Sequence, residues 1–81
     1  MDIKRGVVVR SGAGRDKNGF FVVLDVNKDN VIICDGKRRS LEHPKCKNMK
    51  HLFMTSSKLE EDLMQSNRAI RKALSPFNNK V

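Results

Sequence analysis

Apolar positions along the first part of the chain come in short runs, and turn-forming residues separate the runs. "GVVVR" (6–10), "GFFVVLDV" (19–26) and "NVIICD" (30–35) each hold β-branched or aromatic residues over the length of a strand. Gly12, Gly14 and Gly19 bound the first pair, "NKDN" (27–30) the second, and "DGK" (35–37) closes the third. Turn signals about every ten residues predict a small barrel or sandwich. In the second strand Asp25 belongs to solvent. Period-two alternation then points Phe20, Val22, Leu24 and Val26 inward, with Val7 and Val9 on the same side. The third strand is apolar on both faces, so periodicity does not orient it. Residues 37–54 carry weaker strand signals, and Pro44 requires an edge or a bend.

After Met54-Thr55 the pattern changes. Ser57 and Glu60 form an S-x-x-E capping box. Glu60, Glu61 and Asp62 would occupy the first turn of a helix and Arg71 and Lys72 would lie near its last, both matching the helix dipole. Leu59, Leu63, Ile70 and Leu74 make a narrow apolar stripe, and Ser75-Pro76 ends it. The chain therefore reads as mainly β: a strand-rich part, 1–54, followed by one C-terminal α-helix at 57–74 within 55–81, with a loose tail at 77–81. The helix stripe is expected to pack on the strands.

"GAGRDKNG" (12–19) has the glycine content of a phosphate-cradling loop. A Walker-type loop requires Lys and a hydroxyl after its last glycine, and Phe20 and Phe21 stand there. A dinucleotide fingerprint requires a third glycine where Lys17 stands. Both loops open a helix whose N-terminus holds the anion, whereas "FFVVLDV" reads as a strand. The stretch is a turn between strands, with Arg15 and Lys17 at its tip.

Charge adds a partner to this picture. The 81 residues carry 17 Lys+Arg and 9 Asp+Glu, a net charge of +8. In one small domain with roughly 3–5 kcal/mol of net stability, that excess favours a polyanion through release of counterions from its phosphates. The charge is uneven, since residues 1–54 hold 12 basic and 6 acidic side chains. "KRRSLEHPKCKNMK" (37–50) alone has Lys37, Arg38, Arg39, Lys45, Lys47 and Lys50 against Glu42. With Arg10, Arg15 and Lys17 it can form one basic face. There is no Trp or Tyr, and of four Phe at least two belong to a core. Recognition by stacking on aromatics is therefore disfavoured, and contact with phosphates and the shape of folded RNA fits better. No helix–turn–helix signal supports reading of the DNA major groove.

"IKRGVVVRSGAGRDKNGFFVVLDV" resembles the KOW motif, in which a strand passes through a basic, glycine-bearing turn into a second strand, with an obligatory glycine at the position of Gly19. "VVLDVNKDNVIICDGKRR" and "NMKHL" extend the likeness to the eukaryotic and archaeal large-subunit ribosomal proteins of the fourteen-e type, over residues 3–54. The resemblance implies a small SH3-like barrel. Its first turn, Ser11 to Asn18, would contact RNA, and Arg38-Arg39 would lie at the RNA face. The stretch between Asp35-Gly36 and the basic pair is shorter than in those proteins, and the helical end is not evidently theirs. A constitutive ribosomal protein and a bacterial stand-alone relative both remain open. The expected RNA-binding set is Arg10, Ser11, Arg15, Lys17, Asn18, Lys37, Arg38, Arg39, Lys45, Lys47 and Lys50. The expected partners are ribosomal RNA and ribosomal proteins, for a chain that is monomeric when free.

Other chemistry is weakly supported. Cys34, His43, Cys46 and His51 lack the close cysteine pairs of a zinc site. Lone Cys and His without an orienting third group make a poor catalytic constellation. The expectation is a non-enzyme without metal or cofactor. "MDIKRGVVV" lacks the apolar core of a signal peptide, and "FFVVL" is too short to span a bilayer. This places the chain in the cytoplasm with reduced thiols. The rival class is a KOW-type module that docks on RNA polymerase or the ribosome by protein contacts. Proline-rich or methyl-lysine ligands need aromatic walls that this composition does not supply.

Overall fold

In the computed structural model, which describes residues 2–78, the β-branched runs form strands where their turn residues bound them. These are β1 (Val7–Ser11), β2 (Phe20–Asn27) and β3 (Asn30–Cys34). Two more strands follow, β4 (Lys45–Asn48) and β5 (Leu52–Lys58), and then one helix, α1 (Asn67–Asn78). Short 3-10 turns lie at Gly14–Asp16, Met49–His51 and Glu61–Met64. The protein is mainly β: one five-stranded sheet in the order β4-β3-β2-β1-β5, antiparallel throughout, with a single C-terminal helix.

β4 and β5 are the two edges of this sheet, yet only the Met49–His51 turn separates them in sequence. The sheet must curl to bring its edges together. Met49 N–H donates to the Asp29 carbonyl at 2.7 Å, and Gly12 N–H donates to the His51 carbonyl at 2.8 Å, fixing the turn against both β1 and the β2–β3 hairpin. Among the described residues no ladder pairs β4 with β5, so the barrel is curled but not closed.

Both faces of the sheet are buried, one in each of two cores. The inner core gathers Val7, Val9, Phe21, Val23, Val31, Ile33 and Leu52. The outer core gathers Val8, Val22 and Cys34 under Met64, Ile70 and Leu74, flanked by Phe20, Leu24, Leu41, Leu59 and Phe77. α1 therefore packs on the sheet. This corrects the expected inward set. Val7 and Val9 face the inner core, but Phe20, Val22 and Leu24 lie on the outer face beneath the helix. Val26 returns to the inner side, because a bulge between Val23 and Asp25 sets two β2 residues against one of β3 and inverts the alternation. Asp25 is exposed, as expected.

The helix boundaries also differ from expectation. Ser57 and Lys58 belong to β5, which runs through the 54/55 boundary and pairs Lys58 with Val7. Sheet pairing thus overrides the local capping box. α1 starts ten residues later, where the Ser66 hydroxyl accepts from the Ala69 N–H at 3.1 Å. Pro76 lies inside the last turn instead of ending the helix. Phe77 and Asn78 are helical, and the rest of the expected tail lies outside the described residues. In the stripe Ile70 and Leu74 are buried, but Leu63 is 42% exposed and Met64 fills the core position instead. Arg71 and Lys72 fall in the first half of the helix, not near its C-terminal end. Among the described residues no helix is long and apolar enough to cross a membrane.

Candidate nucleic-acid interface

Two turns and the helix meet at one end of the sheet. The first turn leaves β1 at Ser11, winds through Gly14–Asp16 and rejoins β2. Its base is pinned by Asn18 N–H to the Ser11 carbonyl at 2.7 Å and Ser11 N–H to the Gly19 carbonyl at 2.9 Å. Asn18 adopts φ 70°, a conformation Asn tolerates. A Cβ at Gly19 would meet the Asp16 carbonyl oxygen and the Phe21 ring at 3.1 Å, so a side chain there would press on the turn.

The second turn, 35–39, is built around one carboxylate. Asp35 Oδ1 accepts from the N–H groups of Lys37 and Arg39, each at 2.9 Å. The Arg39 carbonyl accepts in return from Asp35 N–H at 2.9 Å. This leaves the Lys37 and Arg38 side chains exposed. The helix is seated directly on this turn: Gly36 has φ 75°, and a Cβ there would collide with the Asn67 carbonyl oxygen.

Asp16 joins the two turns. Its carboxylate is buried, and it accepts from Arg39 Nε at 3.3 Å and Arg39 Nη2 at 3.1 Å. Lys47 Nζ lies 3.9 Å from the same carboxylate and donates to the Ala13 carbonyl at 2.6 Å. A buried carboxylate held by two cations fixes turn one to turn two and to β4.

These contacts sort the expected RNA-binding residues. Arg39 and Lys47 are turned inward onto Asp16. Ser11 is fully buried, its hydroxyl donating to the Ala13 carbonyl at 3.2 Å, so its side chain has no route to a ligand. Arg10 donates to Asn18 Oδ1 at 3.1 Å and lies 4.6 Å over the Phe53 ring, a cation–π contact on the surface. Lys45 and Lys50 stand on β4 and in the turn after it, with Lys50 exposed.

The remaining four, Arg15, Lys17, Lys37 and Arg38, line one cleft of about 270 Å³ together with Arg71 of α1. Among the described residues none of these five side chains has a hydrogen-bond or ion-pair partner. The carboxylates at the cleft, Asp16 and Asp35, are occupied within the turns. Asp35 keeps its charge, so the result is a concave site with a net excess of positive charge, supplied by three segments. Sequence reasoning missed Arg71, because it was assigned to the helix C-terminus as a dipole partner; its spacing from Ile70 and Leu74 was the available signal.

Elsewhere the thiols are separated by environment. Cys34 is buried in the outer core and its pKa is pushed up to about 11 by burial, whereas Cys46 is exposed. Arg5 clamps Glu61 through two hydrogen bonds of 2.8 and 3.0 Å, which hold the Glu61 carboxyl below its ordinary range. No protein-family model matches the chain, and no curated protein matches it significantly.

Proposed function

We propose that this chain binds structured, ribosomal RNA by its phosphate backbone, as a KOW-type component or companion of the ribosome in the cytoplasm. One observation carries the reading. Five cations from three separate segments converge on one cleft, without a side-chain partner among the described residues. Unpaired, clustered like charge opposes folding, and a polyanion relieves it. The likeness to the KOW motif falls on the same turn, at Arg15 and Lys17.

The composition of the surface favours phosphate contact over base stacking. Phe53 alone among the four phenylalanines is exposed, and Arg10 already covers one face of its ring. Shape and backbone are then the features left to read. The protein acts as a binder without catalysis or cofactor. The Cys34 thiol, with a pKa near 11, is a poor nucleophile at neutral pH, and the two carboxylates at the cleft, Asp16 and Asp35, are engaged in hydrogen bonds that hold the turns.

A second reading has its own observation. Phe53 and Met54, on opposite faces of the edge strand β5, are 52% and 41% exposed, and apolar exposure along a sheet edge suits docking on a protein of the ribosome or of RNA polymerase. The deciding experiment is crosslinking in cells followed by sequencing of the attached RNA. Enrichment of ribosomal RNA at defined positions is expected. Recovery of protein adducts without RNA would replace the first reading with the second.

A further inference from the structure

We propose that α1 is a second cationic wall of the RNA site, so that the bound backbone runs from the two turns onto the helix. This rests on the RNA reading of the cleft and assigns a binding role to the polar face of a helix whose apolar stripe packs on the sheet. Arg68, Arg71, Lys72 and Ser75 are spaced i, i+3, i+4, i+7 and so share one helix face. The same four residues line a shallow recess of about 310 Å³. Arg71 and Ser75 belong to both this recess and the turn cleft, which makes the two continuous.

Folding does not account for this face. The helix "NRAIRKALSPFN" has no acidic residue, so Arg68–Arg71 and Arg68–Lys72 are uncompensated like-charge neighbours. Arg68 stands in the first turn, at the positive end of the helix dipole, where a cation is unfavourable. Among the described residues none of the three has an ion-pair partner. By contrast the inner face, with Ile70 and Leu74 buried and Asn67 bonded to Leu41 N–H and Glu42, is fully used in packing. A face built against the helix's own electrostatics, continuous with a cationic cleft, fits RNA phosphates.

The test uses the full chain and a structured ribosomal RNA fragment, with binding titrated over several salt concentrations. The triple change Arg68→Ala, Arg71→Ala, Lys72→Ala is expected to lower the slope of log K against log salt by roughly two units and weaken binding at least about tenfold. Thermal stability should stay equal or rise. Arg71→Glu alone should also weaken binding, and Arg71→Lys should retain it, since a phosphate contact needs the charge. A parallel Arg15→Ala, Lys17→Ala variant tests the turn. If that variant binds weakly while the triple and Arg71→Glu variants keep wild-type affinity and slope, the helix wall is refuted and the RNA reading stands. If the wild-type chain shows no salt-dependent RNA binding, both fall.

Discussion

Replacing Asp16 separates charge from geometry. The substitution Asp16→Ala leaves Arg39 and Lys47 facing each other's charge without the carboxylate that holds them. The Asp16 side chain is only 3% exposed, and two hydrogen bonds from Arg39 end on it. Removing one partner of a buried ion pair costs about 3–5 kcal/mol. The Arg39 side chain is 30% exposed and rehydrates in part, which reduces the expectation to about 2–3 kcal/mol. Asp16→Asn keeps one acceptor and should lose about 1–2 kcal/mol. In a domain of this size each kcal/mol moves Tm by about 4–8 °C. Urea unfolding at pH 7 measures the stability, and RNA titration at a temperature where circular dichroism shows the variant folded measures function. Losing a carboxylate raises the net charge of +8 by one, so bulk electrostatics favours tighter RNA binding. If Asp16 aligns the two turns, binding weakens despite the added charge. An Asp16→Asn protein with wild-type stability and tighter binding would refute the reasoning.

Two further outcomes follow from the packing. Ile70→Ala should cost about 2–4 kcal/mol in urea unfolding because Ile70 is fully buried in the outer core, whereas Leu63→Ala, at a position 42% exposed, should cost well under half of that. Equal losses would place Leu63 in the core after all. Native protein at pH 8 should react with a thiol reagent at Cys46 and spare Cys34 until it unfolds. Because the Cys34 pKa is raised from 9.0 to about 11 in the folded chain, its contribution is intact below pH 9 and disappears as pH rises toward 11. Cys34→Ser should flatten that alkaline decline, and an unchanged decline would assign it to other groups.

The legible parts of the fold were those set by local signals. β1, β2 and β3 stand within a residue of their expected bounds, since β-branched runs met Gly, Asn and Asp at each end. β4, "KCKN", is a polar edge strand and β5 contains "TSSK", so neither shows alternation that composition could reveal. The capping box at Ser57 was a valid local pattern defeated by pairing with β1, a partner distant in sequence. The facing of β2 was misread because α1 buries the outer face too, and one bulge inverts the pattern beyond Leu24. In the site, Arg15, Lys17, Lys37 and Arg38 were legible as turn cations. That Arg39 and Lys47 serve Asp16 was not, because the three come together only through the pairing of strands and the packing of the two turns against β4.

The central claim is that the cleft cations hold RNA phosphates, and the most direct measurement is a filter-binding titration of a ribosomal RNA fragment at several salt concentrations. The comparison is wild type against Arg15→Ala, Lys17→Ala, Lys37→Ala, Arg38→Ala combined. These side chains have no protein partners among the described residues, so stability should change by no more than about 0.5 kcal/mol per substitution. The account predicts weaker binding and a salt slope lower by about three units, as about four fewer counterions are released. Wild-type affinity with an unchanged slope would contradict it.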